Sequence, residues 1–178
     1  MHEPTELMQD LASQILDELN LKEKDQLAIA DAYSDYMNPD SYKVIKATHY
    51  GDPKAQPRAR TAGNLNHFYD PGKTFKLFLN EAIRNALGAN FKPISSEVYF
   101  KARFYRQTPK SFNKQKTVLA ELGVLRPTMK PDIDNYEKLL YDALLATLYT
   151  DDGVIVHGDN SKFYSCKPRT EVEITFKV

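Results

Sequence analysis

The chain has 178 residues, 42% of them hydrophobic, with 24 basic and 24 acidic side chains, which is the size and composition of one globular domain with room for an appendage. No run is long or apolar enough to span a membrane, and the start lacks a signal-peptide pattern. The single cysteine, Cys166, excludes an internal disulfide and fits a reducing cytoplasm, and with four scattered histidines it argues against a zinc site.

The zero net charge is unevenly divided. Residues 1–40 hold two lysines and ten acidic residues, a net of −8, so residues 41–178 carry +8. Between Lys43 and Lys130, seventeen basic residues stand against five acidic ones, a distribution that attracts phosphate.

Thr5 to Met37 reads as two helices. Thr5 caps the first, with Met8, Leu11, Ile15, Leu16 and Leu19 on its apolar side; Asn20 breaks it, and Leu27, Ala30, Tyr33 and Met37 suit the second. This acidic segment is expected to be a helical hairpin packed on the body or between subunits; masking the DNA surface or recruiting a partner is the sharper idea. Ser41 to Tyr50 alternates as a strand. Gly51 to Gly63 is a loop whose Arg58 and Arg60 are candidate phosphate contacts. Asn64 to Gly72 continues a ribbon, and Thr74 to Ala89 is a helix capped by Thr74, with Phe75, Phe78, Leu79, Ala82, Ile83 and Leu87 inward.

Glu97 to Arg106 is the clearest strand, with Val98, Phe100, Ala102 and Phe104 on one face and Tyr99, Lys101, Arg103 and Tyr105 on the other. The outer face, with Lys101 and Arg103, suits nucleic acid and equally an ordinary cross-strand ladder. Lys114 and Lys116 lead into a short helix, Val118 to Leu122, ended by Gly123. Val154 to Tyr164 and Thr170 to Val178 are the closing strands. The order βαβ, helix, ββ predicts an α+β fold, a mixed sheet with packed helices and an N-terminal helical extension, divided as 1–40 and 41–178.

The chemistry concentrates in Lys130 to Asp152, KPDIDNYEKLLYDALLATLYTDD. Pro131 is barred from a helix interior, and Asp132 or Asp134 makes a helix N-cap. Tyr136, Leu139, Leu140, Ala143, Leu144 and Thr147 follow the spacing of a buried helix face. Asp134, Lys138 and Asp142 line a second face, and Asp151-Asp152 follows. Read singly, these residues are a capped amphipathic helix with an Asp–Lys pair and an Asp-Asp-Gly turn. Read together, Asp132 and Asp134 repel one another in a shared cleft, a cost that a hard divalent cation, Mg²⁺ or Mn²⁺, removes.

Lys130-Pro131-Asp132-Ile133-Asp134-Asn135, then Lys138, Asp142-Ala143-Leu144 and Asp151-Asp152, resembles the core of the RusA-type Holliday junction resolvases. Gly51-Asp52-Pro53 with Arg58 and Arg60, Tyr69-Asp70-Pro71, Lys162-Phe163-Tyr164 and Pro168-Arg169 to Ile174 extend the resemblance over residues 42 to 178. It implies a metal-dependent, homodimeric endonuclease, bacterial or phage-encoded, that cuts branched, four-way DNA. It implies catalytic roles for Asp132, Asp134, Lys138 and Asp152, with the three aspartates on Mg²⁺ and Lys138 at the phosphate or the attacking water. Asn135, Asp142 and Asp151 would support these ligands, and Lys130 with the basic residues above would bind DNA.

Many relatives end the helix with Asn-Gly, where this chain has Leu145-Ala146. A helix ending near Leu144 is roughly 17 Å long, and an extended return from Ala146 covers roughly 20 Å, so Asp152 reaches Asp134 within one subunit. A helix running to Tyr149 leaves a partner subunit to supply the third carboxylate. Two rivals remain: a looser branch or flap nuclease, and a DNA-binding module with a vestigial site.

Overall fold

A computed structural model describes residues 4–56, 72–88 and 90–177. The chain divides into two compact units, the first ending at Lys43 and the second spanning Val44–Lys177.

The first unit is two helices. In α1, Glu6–Leu19, Thr5 caps the start by accepting the Met8 N–H at 3.3 Å, and Asn20 closes the end in the left-handed conformation. In α2, Glu23–Met37, no side chain caps the start. Neither helix buries a residue: Met8, Leu11, Ile15 and Leu19 are all exposed. The amphipathic pattern is there, and the residues of its apolar side are exposed.

The second unit is a four-stranded sheet with helices on it. β1, Tyr42–Tyr50, crosses the unit boundary; α3, Lys73–Leu87, and β2, Val98–Gln107, follow, then α4, Lys114–Glu121, α5, Ile133–Leu144, β3, Ile155–Ser165, and β4, Arg169–Lys177. The strand order is β1-β4-β2-β3. β2 runs parallel to β3 and antiparallel to β4, so the sheet is mixed and the fold is α+β as expected.

Alternation in β2 sets the architecture. Val98, Phe100, Ala102 and Phe104 point to one face with Val172, Ile174 and Phe176 of β4, and all are buried. Phe75, Leu79 and Ile83 of α3 and Tyr136, Leu139, Leu140, Ala143 and Leu144 of α5 close over them in one core. Phe104 stacks on Tyr136 with ring centroids 4.8 Å apart, and Phe100 meets Tyr141 at 4.9 Å. Helix α5 is thereby fixed on the sheet by two aromatic contacts about one turn apart.

Some boundaries differ from expectation. Thr74 lies inside α3, which begins after Gly72. α4 starts four residues before Val118 because Asn113 accepts the Lys116 N–H at 2.9 Å, a capping signal the apolar pattern does not carry. Helix α5 ends at Leu144, and Thr147, expected on its buried face, lies in the turn that follows. There Ala146 takes a left-handed φ of 65°, the role a glycine fills more easily. The expected ribbon Asn64 to Gly72 lies almost wholly outside the described residues.

β3 lies close under α5 at Gly158. A Cβ there would stand 2.6 Å from the Tyr141 hydroxyl and 2.9 Å from Asn160 Nδ2, which are hydrogen bonded to each other at 3.0 Å. Gly158→Ala is therefore expected to destabilise the protein by about 1–3 kcal/mol, read from the midpoint of urea unfolding.

Candidate active site

The inward face of the sheet becomes polar where the helices end. Arg106 has the same parity as Phe104, one residue pair further along β2, so it passes beneath the N-terminal end of α5. Its Nη1 donates to the carbonyls of Met129 at 3.3 Å and Lys130 at 3.0 Å. Lys162, in register with Phe104, donates from Nζ to the carbonyls of Pro131 at 3.1 Å and Met129 at 3.4 Å. Two cations from adjacent strands thus hold three successive carbonyls just before Asp132. On the other side, Asp52 accepts the Gln107 N–H at 2.9 Å, and the Gln56 N–H donates to the Asn135 carbonyl at 2.8 Å.

These ties frame a cleft of about 620 Å³ at the start of α5, walled by Lys54, Gln56, Arg106, Lys130, Pro131 and Tyr136, with Asp132 and Asn135 at its edge. Burial pushes the Tyr136 hydroxyl pKa up, and the Asp52 charge adds to this while Arg106 opposes it. Asp132 occupies the N-cap position of α5 without making a side-chain capping bond. Asp134, in the first turn, is exposed and accepts Asn135 Nδ2 at 3.1 Å. Both carboxylates sit where the helix dipole favours negative charge.

Lys138 follows on the same stripe. It is 64% exposed and pairs with Asp142 at 3.7 Å, long enough for the ammonium to turn to another anion.

Asp152 is elsewhere. After Leu144 the chain does not extend back along the helix. It turns locally: the Thr147 and Leu148 N–H groups donate to the Leu144 carbonyl, and the Ala146 N–H to that of Tyr149. Tyr149 is fully buried, and its hydroxyl donates to the Tyr141 carbonyl at 2.8 Å. Burial raises the Tyr149 pKa, and the charges of Asp152 and Asp142 raise it further. β3 then starts at Ile155 opposite Val98 and reaches Pro131 only at Lys162. Asp152 therefore stands beyond the C-terminal end of α5, while Asp132 and Asp134 stand at its N-terminal end. A twelve-residue helix, roughly 18 Å long, separates them.

The helix ends where a return within one subunit needs it to end, but the local turn uses up the reach. Among the described residues, no three His, Cys, Asp or Glu side chains gather around one point.

The remaining candidates divide. Asp151 accepts the Gly153 N–H at 2.7 Å and so shapes the turn. Lys101, Lys114 and Lys116 are exposed. Arg103 donates to both carboxylate oxygens of Asp159, at 3.2 and 2.7 Å, and this bond holds the Asp159 pKa below its ordinary value. With Lys46–Glu173 and Arg169–Glu171 it makes the outer sheet face a ladder of paired charges. The same face carries a stack in which Arg126 covers Phe163, Phe163 covers Tyr105, and Arg169 covers Tyr105 from the other side. Arg58 and Arg60 lie outside the described residues. Arg106 and Gln56 were not among the sequence candidates; a basic residue on the apolar parity of β2 was the signal for the first.

The sequence matches the family Endodeoxyribonuclease RusA over residues 51–175. The chain belongs to the RusA endodeoxyribonuclease family. The RusA match spans all the elements of the second unit except β1 and the last residues of β4, and it takes in the cleft, both ends of α5 and Asp152. A relative from Bacillus subtilis (strain 168), described as uncharacterized protein YqaN, is 41% identical over 139 residues, covering 73% of this chain and 94% of its own. RusA membership makes the protein an endodeoxyribonuclease of a family that acts on branched DNA junctions. No described helix is long and apolar enough to cross a membrane.

Proposed function

We propose that this chain is a Mg²⁺-dependent endonuclease that resolves four-way DNA junctions as a homodimer. Residues 41–178 form the nuclease domain and residues 1–40 an acidic extension outside it. One observation carries the reading. Asp132, at the N-cap of α5, lines a cleft that also presents Lys54, Arg106 and Lys130, and Asp134 stands exposed in the first turn that follows. Carboxylates are of no use to a pure phosphate binder, because they repel the ligand. Beside cations that hold a phosphodiester, they suit hydrolysis. Ligands that are all oxygen suit Mg²⁺, or Mn²⁺ in its place.

The third carboxylate comes from a second copy. When two α5 helices related by a two-fold axis lie antiparallel, the C-terminal end of each meets the N-terminal end of the other. Asp152 of one copy then falls beside Asp132 and Asp134 of its mate. Two equivalent sites result, facing opposite strands of a two-fold branched substrate. Lys138 turns from Asp142 to the phosphate, placing positive charge where the transition state gains negative charge. Asn135, bonded to Asp134 and to the Gln56 backbone, holds the first turn in place.

The split of the carboxylates within a protomer also favours a second reading, a junction-binding module that does not cut. Incubating the protein with labelled four-way junctions, flaps and linear duplexes in Mg²⁺, Mn²⁺ or EDTA separates the readings. Paired cuts across the branch with either metal, and none in EDTA, are expected. Equal cutting of flaps makes it a looser branch nuclease, and tight junction binding without cutting in either metal makes it the module.

A further inference from the structure

Lys162 stands on β3 in register with Phe104, so its side chain rises on the helix side of the sheet. It is half-buried and forms no part of the wall of the cleft beside Asp132. Its root is fixed. Arg126 Nε donates to the Lys162 carbonyl at 2.8 Å, and the Arg126 guanidinium lies 3.7 Å over the ring of the neighbouring Phe163. Its tip spends two of its three donors on the carbonyls of Pro131, at 3.1 Å, and Met129, at 3.4 Å. Pro131 immediately precedes Asp132, the N-cap of α5.

A helix N-terminus is the wrong end for a cation, because the dipole there is already positive. The helix itself therefore does not call for an ammonium at Pro131. The carboxylates one and three residues further on do, since Asp132 and Asp134 repel one another and a nearby positive charge lowers that cost. Among the described residues, the donors to the Met129, Lys130 and Pro131 carbonyls are all side-chain cations, and the one that reaches Pro131 is Lys162. Arg106 shares the task but also faces the cleft. We propose that Lys162 is a positioning residue: it fixes the backbone from which Asp132 and Asp134 project and does not itself touch DNA. Its effect on cleavage rests on the nuclease reading. Its effect on the backbone does not.

The test uses the full-length protein and three variants. Lys162→Met keeps the stem and removes the ammonium, Lys162→Gln keeps a donor too short to reach both carbonyls, and Lys162→Arg keeps charge and reach. Single-turnover cleavage of a four-way junction at saturating protein in Mg²⁺ is expected to fall about 10–100-fold in Lys162→Met, the usual effect of removing a group that orients metal ligands. Lys162→Arg is expected to restore most of it. Junction affinity in EDTA, and its dependence on salt, are expected to stay as in the wild type. In the protein alone, without metal or DNA, hydrogen exchange at the amides of Asn135, Tyr136 and Glu137 is expected to quicken in Lys162→Met while Leu139 to Leu144 stay protected.

A weaker affinity with a salt slope shallower by about one makes Lys162 a phosphate contact and overturns the proposal. Unchanged cleavage and exchange in Lys162→Met overturn it as well. So does a cleavage loss that Lys162→Arg does not restore and that comes with faster exchange throughout the core, the mark of a merely structural lysine. If circular dichroism shows Lys162→Met unfolded, Lys162→Gln carries the same expectations. A wild type that binds junctions and cuts none in Mg²⁺ or Mn²⁺ overturns the nuclease reading, and the exchange result then decides by itself whether Lys162 holds the start of α5.

Discussion

Asp134→Asn is expected to slow junction cleavage on the order of 10²–10³-fold while leaving junction binding as tight as in the wild type, or tighter. The magnitude is that of removing one preorganised charge from a reacting centre. The direction on binding follows because a carboxylate next to phosphate is repulsive, and its loss removes that repulsion. The fold should hardly notice. Asp134 is exposed, and its bond from Asn135 Nδ2 persists with an asparagine oxygen as acceptor. The only loss is its interaction with the helix dipole, about 0.3–1 kcal/mol. Single-turnover cleavage in Mg²⁺ and gel-shift affinity in EDTA, measured on the same preparation, check both halves. An equal fall in both would mean that Asp134 serves binding.

Phe104→Ala is expected to give the largest stability loss of any single truncation in the second unit, about 3–5 kcal/mol. Phe104 is 1% exposed, sits mid-core on β2, and stacks against Tyr136, itself 1% exposed. Removing the ring leaves a cavity that neither the sheet nor α5 can close without moving. Tyr136 is also a wall of the cleft, so the α5 N-terminus loosens along with the core. Urea unfolding followed by near-ultraviolet circular dichroism measures the loss. Leu122→Ala is the control: Leu122 is 71% exposed, and its truncation should stay within about 0.5 kcal/mol.

Much of this was legible because it is local. The alternation of Val98, Phe100, Ala102 and Phe104 marks β2 without reference to any other residue, and the spacing of Tyr136, Leu139, Leu140, Ala143 and Leu144 marks the face of α5. Asp132 and Asp134 follow from the same segment. What was not legible is long-range. The pairing of β2 with β3 joins residues more than fifty positions apart, and that pairing places Lys162 under Pro131. The position of Asp152 depends on Tyr149, whose burial in the core folds residues 145–150 into a turn, where period and propensity allow an extended return. The cleft depends on Arg106, a charge at the end of an apolar strand face; its parity was readable, but its partners at Met129 and Lys130 were not. The apolar side of α1 shows the opposite limit, since a helical hydrophobic stripe reveals a face and not what covers it.

The account stands on carboxylates from the two ends of α5 being shared between two copies. Subunit complementation tests this most directly. A chain carrying Asp132→Asn and Asp134→Asn is co-expressed in equal amounts with a chain carrying Asp152→Asn, each inactive alone. In a mixed dimer one site receives all the substitutions and the other receives none. The expected result is nicking of four-way junctions in Mg²⁺ at roughly a quarter of the wild-type rate, because half the random pairs are mixed and each holds one intact site. A mixture no more active than either chain alone would contradict it.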